Sequence, residues 1–177
     1  LFILGMQRAG TTSLHNFLKL NHNISFTKIK ETNIFCDDHF INKNHNLHSS
    51  FKVNLENINS YIFIKKETKY LLDSSVNHFY SKNAPKKIYD YNPNSKFIIL
   101  RRNPLERIIS HYYMDINNGY HPLKLNEAVE IELFKKGIIG SDLGYLQMSN
   151  FNKFYNNWLV YFDRSNFLLL DFDEIFN

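Results

Sequence analysis

The sequence predicts an α/β domain, three-layer α/β/α with a central parallel sheet. Five segments read as strands, most of them short, near-continuous apolar runs, the mark of strands covered on both faces of a sheet, and segments of helical period alternate with them. The opening residues add a third observation: Leu1-Phe-Ile-Leu-Gly5-Met-Gln-Arg8-Ala-Gly10-Thr-Thr-Ser-Leu14 runs strand, glycine-bearing loop, helix. That order of parts presents backbone N–H groups to a phosphate and makes the expected fold P-loop-NTPase-like.

Taken in order, the expected strands are residues 1–4, 24–26, 70–72, 96–100 and 166–170. A helix is expected over 12–20, with Leu14, Phe17 and Leu18 on one face, and another over 55–64, carrying Ile58, Tyr61 and Ile62. Residues 104–116 begin with Pro104, suited to a first helical turn. Residues 148–162 have the clearest period, through Met148, Phe151, Tyr155, Trp158, Leu159 and Phe162. A further helix is expected to start near Asp173. Residues 37–50, rich in Asn, His and Lys and without period, are expected to be a surface loop.

At 177 residues and 44% hydrophobic the chain suits one core, so a single domain over 1–177 is expected, cut from a longer protein and lacking its C-terminal end. One cysteine, Cys36, permits neither an internal disulfide nor a cysteine metal cluster. No apolar run approaches the ~20 residues of a membrane span, so none is expected in this stretch. A formal charge of +4 and a pI near 9.0 suit an anionic ligand but are too mild to imply nucleic acid. Only five of the 21 basic residues are arginines, and four of those sit in two places: Arg8, and the group Arg101, Arg102 and Arg107. Arginine offers a planar fork suited to phosphate, so this concentration suggests two anion contacts.

The first is the opening loop. N–H groups around Ala9, Gly10, Thr11 and Thr12, the positive end of the following helix and the hydroxyls of Thr11, Thr12 and Ser13 can converge on a phosphate or sulfate. A Walker loop would have Lys where this chain has Thr11; its cation is Arg8, inside the loop. The bland alternative is a strand-to-helix turn with Thr12 as N-cap. The second is Lys96-Phe-Ile-Ile-Leu100-Arg101-Arg102-Asn103-Pro104-Leu105-Glu106-Arg107-Ile-Ile-Ser110-His111. A buried strand ends in arginines at the sheet edge where α/β folds bind ligands, and Arg102 and Ser110 can share one phosphate. The alternative is a solvated strand edge, with Arg107 structural.

Together the two segments resemble the cofactor motifs of sulfotransferases that use 3′-phosphoadenylyl sulfate (PAPS), in particular the branch of the heparan sulfate enzymes and their bacterial relatives. The first motif typically reads Pro-Lys-x-Gly-Thr-Thr, against Gln7-Arg8-Ala9-Gly10-Thr11-Thr12 here; the second is matched by Arg102, Asn103, Pro104, Arg107 and Ser110. Lys30-Glu31-x-x-x-Phe35 is similar to the family segment that carries the catalytic base, Leu72-Asp73-Ser74-Ser75 to its acidic-x-Ser segment, and Gly144-Tyr145 to its Gly-x-Tyr region.

The resemblance implies PAPS as donor and adenosine 3′,5′-bisphosphate as product. It also implies Glu31 as base, Arg8 and the loop at the 5′-phosphosulfate, Arg102 and Ser110 at the 3′-phosphate, and a carbohydrate hydroxyl or amine as acceptor. No metal is needed for such a transfer, and the spacing of His45 and His48 is a weak pointer to one. His15 is expected at the surface, and His78 and His111 are alternative bases. Two departures stand out: Arg8 replaces the usual lysine, and Ser74 stands where the heparan sulfate enzymes often have lysine. A nucleotide kinase is the enzymatic alternative and a non-catalytic nucleotide-binding domain the other.

Overall fold

The structure, a computed structural model, describes residues 1–37, 54–120, 123–134 and 144–176. Its strands are β1 (Phe2–Leu4), β2 (Ile24–Thr27), β3 (Ile62–Phe63), β4 (Tyr70–Leu72), β5 (Phe97–Arg101) and β6 (Phe167–Asp171). Its helices are α1 (Thr11–Leu18), α2 (Asn77–Tyr80), α3 (Ala84–Tyr91), α4 (Pro104–Asn117), α5 (Leu125–Phe134), α6 (Phe151–Trp158) and α7 (Phe172–Phe176). Short 3₁₀ turns cover Ile58–Tyr61, Gln147–Ser149 and Arg164–Asn166.

The strands form two ladders, β3-β2-β4 and β1-β5-β6. A parallel bridge between Phe2 and Asp73 joins them, with Ile3 N–H donating to the Asp73 carbonyl (2.9 Å) and Asp73 N–H to the Leu1 carbonyl (3.1 Å). The sheet therefore runs β3-β2-β4-β1-β5-β6, parallel except for the edge strand β3, which is antiparallel to β2. The expected parallel α/β architecture is the one found.

Phe97 sits at the centre of the core. Its ring meets Phe2 at 5.7 Å, Trp158 at 5.1 Å, Phe162 at 4.6 Å and Phe167 at 4.9 Å between centroids, so three strands and α6 close on one aromatic cluster. Trp158 is fully buried and donates its indole N–H to the Phe79 carbonyl at 3.3 Å. A smaller cluster of Ile108, Ala128 and Tyr145 packs α4 against α5.

Several local expectations are corrected. Residues 55–64 are not a helix but a turn, a 3₁₀ turn and β3. Asn54 accepts through its side chain from the N–H groups of Glu56 (3.1 Å) and Asn57 (3.0 Å), a local closure that competes with helix, and Ile62 then pairs with Thr27. The expected 148–162 helix is shortened to α6, because Asn150 caps a new helix start through Lys153 N–H (3.2 Å). Helices α2, α3 and α5 were not expected. Most of the 37–50 loop, with His45 and His48, lies outside the described residues. Among the described residues no helix is long and apolar enough to cross a membrane.

Gly5, where β1 gives way to the loop, lies against the Phe79 ring. A methyl there would come within 2.9 Å of Cδ1 and 3.1 Å of Cβ and Cγ, and the buried ring has nowhere to move. Gly5→Ala is expected to lower unfolding free energy by about 1–3 kcal/mol, read as a lower urea midpoint with unchanged m.

Candidate active site

β1 and β5 lie side by side and end at the same height: Met6 N–H donates to the Leu100 carbonyl at 2.7 Å and Leu100 N–H to the Gly5 carbonyl at 3.2 Å. The loop after β1 and the turn into α4 therefore leave the sheet together. Gly10 makes the turn into α1 with φ 84°, in the left-handed region that favours glycine, and no side chain caps the helix. Thr12, expected as an N-cap in the bland reading, lies inside the first turn instead. The orphan N–H groups of that turn and the positive helix end are left to face an anion, beside the exposed side chains of Thr12 and Ser13. Thr11 is buried and Ala9 completely so.

The two arginine-bearing segments touch. Arg8 Nε–H donates to Ser110 Oγ at 3.0 Å, and Arg102 donates to the Arg8 carbonyl at 3.2 Å. Arg102 also pairs with Glu106 at 3.2 Å and stacks on the Phe172 ring 4.3 Å from its centroid. Asn103 has a mechanical role: its side chain caps α4 by accepting from Leu105 N–H at 2.9 Å. Arg8, Arg102 and Ser110, 94 residues apart between the two arginines, are thus brought together.

Arg107 is not in this group. Fully buried, it donates to Ser149 Oγ (2.8 Å), to the Tyr145 carbonyl and to His111 Nδ1 (3.3 Å), pinning α4 to the segment after α5. Burial pulls its pKa down, opposed by Tyr80, Glu132 and Asp115 nearby. The structural role expected as one alternative is the one observed.

Glu31 follows β2 in left-handed backbone, φ 58°, as does Asn33 at φ 53°. The strand end 73–76 holds this stretch. Glu31 N–H donates to the Ser74 carbonyl (3.3 Å), Val76 N–H to Glu31 Oε2 (2.9 Å), Thr32 hydroxyl to Asp73 Oδ2 (2.5 Å) and Asn33 N–H to Ser75 Oγ (3.1 Å). Lys30 pairs with Glu31 Oε1. Burial raises the Glu31 pKa above the ordinary glutamate value, with Lys30 and the Val76 N–H pulling the other way. The side chain keeps 27% exposure, enough to be reached from solvent. The same segment leads into α2, where Tyr80 accepts Gln7 N–H at 3.0 Å, so Glu31 and the loop share a support.

The histidine expectations are corrected. His15 is buried, because its ring turns inward to Ser74 Oγ at 2.8 Å. His78 is completely buried; Phe35 N–H donates to its Nε2 (3.3 Å), which leaves the proton on Nδ1, facing Asp73 Oδ1 at 3.5 Å. Burial lowers its pKa, and no acceptor can reach it. His111 is driven down to about 3 by burial, then by Arg107 and Arg8, and is buried as well. Glu31 is the base candidate with access. Tyr80 went unnoticed in the sequence, and nothing in its neighbours would have singled it out. Among the described residues no group of His, Cys, Asp or Glu could hold a metal. A cavity of about 360 Å³ lined by Phe2, Phe35, Ile58 and Tyr70 includes none of Arg8, Glu31, Arg102 or Ser110.

Residues 1–177 match the family model described as Sulfotransferase domain. Among curated proteins, the bifunctional heparan sulfate N-deacetylase/N-sulfotransferase 4 of Mus musculus is 25% identical over 178 residues, covering 98% of this chain and 20% of that protein. Heparan sulfate glucosamine 3-O-sulfotransferase 6 of Mus musculus is 21% identical over 180 residues, covering 98% and 46%. The chain therefore spans less than half the length of these relatives. The crystal structure of a sulfotransferase from Alicyclobacillus acidocaldarius superposes with a TM-score of 0.77 at 20% identity, covering 98% of this chain and 72% of that one, a likeness of fold.

Arg107 is buried with three acceptors, and its loss leaves His111 Nδ1 without its donor and the Tyr145 carbonyl with only the Ser149 hydroxyl (2.7 Å). Arg107→Leu is expected to cost about 3 kcal/mol in chemical denaturation, far beyond an exposed substitution such as Arg164→Leu.

Proposed function

The chain belongs to the sulfotransferase domain family, and from that premise we propose that it is a single domain moving a sulfuryl group from PAPS to a hydroxyl or amine of a carbohydrate acceptor. The observation that carries this reading is the meeting of Arg8, Arg102 and Ser110 at the open start of α1. The donor set fits the ligand: N–H groups at a helix end, two guanidinium groups and hydroxyls suit two separate phosphates, and none of them demands a metal.

In this reading Gly10, Thr11, Thr12 and Ser13 hold the 5′-phosphosulfate and Arg8 adds charge beside it, while Ala9, buried and with its N–H on the Met6 carbonyl (3.1 Å), shapes the loop beneath. Arg102 and Ser110 hold the 3′-phosphate. The donor supplies the sulfuryl group: the bond from sulfur to the bridging oxygen breaks, its electron pair stays with the 5′-phosphate, and sulfur bonds to the acceptor oxygen or nitrogen. Glu31 accepts the proton that the acceptor gives up. The loop N–H groups and Arg8 stabilise the charge growing on the departing phosphate, as donors fixed in advance of the reaction do. Carboxylate basicity favours the role: burial makes Glu31 a better proton acceptor than an exposed glutamate, while its remaining exposure admits an acceptor. The acceptor class follows the heparan sulfate relatives, whose named activities are N- and 3-O-sulfation.

Calorimetric titration tests the donor. Adenosine 3′,5′-bisphosphate is expected to bind in preference to Mg-ATP, and Arg102→Ala to weaken it about 10- to 100-fold. Preference for ATP, or indifference to that substitution, would point to a kinase or a generic nucleotide site. For the base, transfer from PAPS to desulfated heparan sulfate is expected to fall about 10²–10⁴-fold in Glu31→Gln. Rate should also fall as pH drops through the raised Glu31 pKa, with a midpoint above the ordinary 4.5, since only the ionised carboxylate accepts a proton. Full activity in Glu31→Gln would remove it from the role.

A further inference from the structure

The helix that follows the anion loop and the strand end that holds Glu31 are joined by one buried side-chain contact, His15 Nδ1 to Ser74 Oγ at 2.8 Å. We propose that His15 is a positioning residue for Glu31: through Ser74 it locks the 73–76 segment to α1, so that the carboxylate is fixed relative to the donor site. The inference rests on the reading of Glu31 as the base.

The 73–76 segment makes five hydrogen bonds to residues 31–33, two of them to the backbone or carboxylate of Glu31 itself. Those contacts hold Glu31 in left-handed backbone, which costs a side chain of its kind about 1–2 kcal/mol and persists only where the surroundings dictate it, while Asn33 supports the same conformation through its own side chain on the Glu31 carbonyl (3.1 Å). A clamp of this kind is only as well placed as its own anchor. On one side the anchor is the Phe2–Asp73 bridge to β1. On the side of α1 it is His15, buried at 4% exposure and lying edge-on to Phe26 with 6.4 Å between ring centroids. Ser74 is itself completely buried, with its carbonyl on Glu31 and its hydroxyl on His15, so one residue receives both ends of the link.

His15 takes no part in proton transfer. Burial, with Lys19 and Lys30 nearby, lowers its pKa, and only Asp73 opposes them, so the ring is neutral at neutral pH. Its loss therefore acts on Glu31 through geometry. A loosened clamp exposes the carboxylate to more water, and because burial is the largest influence on Glu31, its titration midpoint falls toward the ordinary glutamate range. A direct charge effect has the opposite sign: removing a cationic imidazole would raise the midpoint.

The experiment is a ¹³C-carboxylate NMR titration of Glu31, its resonance identified with Glu31→Gln, in wild type, His15→Leu, His15→Asn and Ser74→Ala. Calorimetric titration with adenosine 3′,5′-bisphosphate runs alongside. Asparagine places a polar atom near the position of Nδ1 and serves as the conservative rescue; Ser74→Ala removes the contact from its other end should His15→Leu fail to fold. The midpoint is expected to fall in His15→Leu and Ser74→Ala and to return in His15→Asn, while bisphosphate affinity stays within about twofold. An unchanged or raised midpoint in both deletions, or no recovery with asparagine, overturns the proposal. Failure of the base reading is separate, since it appears as retained transfer activity in Glu31→Gln whatever the midpoint does.

Discussion

The parallel pairing of β1 with β5 is the constraint on which the site depends. The register Phe2 to Phe97 through Leu4 to Ile99, continued by the hydrogen bonds of Gly5 and Met6 to Leu100, makes both strands stop at one level. Two loops that are remote in sequence then emerge side by side, and Arg8 can reach Ser110 while Arg102 reaches the Arg8 carbonyl. The aromatic cluster about Phe97 sits beneath this pair and holds the register, because a slip of one residue would turn the whole cluster to the other face.

A second set of contacts sets the height of Glu31. Strand β4 joins β1 through a single bridge, and directly beyond it Asp73, Ser74, Ser75 and Val76 hold the 31–33 stretch. Behind the site the buried charged groups are handled differently. Arg107 is enclosed by neutral acceptors, His78 and His111 are kept neutral by burial, and Glu132 accepts the Leu146 and Gln147 N–H groups at 2.9 and 2.8 Å. These groups supply rigidity, whereas Glu31, Arg8 and Arg102 keep solvent access and so can meet ligand.

Much of this was legible in the sequence. Five of the six described strands were, because a strand inside a parallel sheet favours an apolar run, and the Arg8 and Arg102 segments were, because each carries its own chemistry in adjacent residues. The family resemblance raised Glu31, which local pattern alone would have left as a surface glutamate beside Lys30. What was missed is non-local or rests on competing short-range bonds. His15 has the spacing of a surface residue and is drawn inward by a serine 59 positions away. Tyr80 matters through Gln7, 73 positions away. Residues 55–64 have a helical apolar period, yet asparagine side chains close the backbone first and Ile62 finds a strand to pair with. His78 and His111 carry a titratable ring that sequence cannot tell from an accessible one; only packing removes them.

The most direct measurement is a crystal structure of the chain with adenosine 3′,5′-bisphosphate. The account predicts the 5′-phosphate on the first-turn N–H groups of α1 beside Arg8, the 3′-phosphate between Arg102 and Ser110, and the Glu31 carboxylate facing the open side of the 5′-phosphate. A nucleotide bound elsewhere, or with its 3′-phosphate out of reach of Arg102 and Ser110, would contradict it.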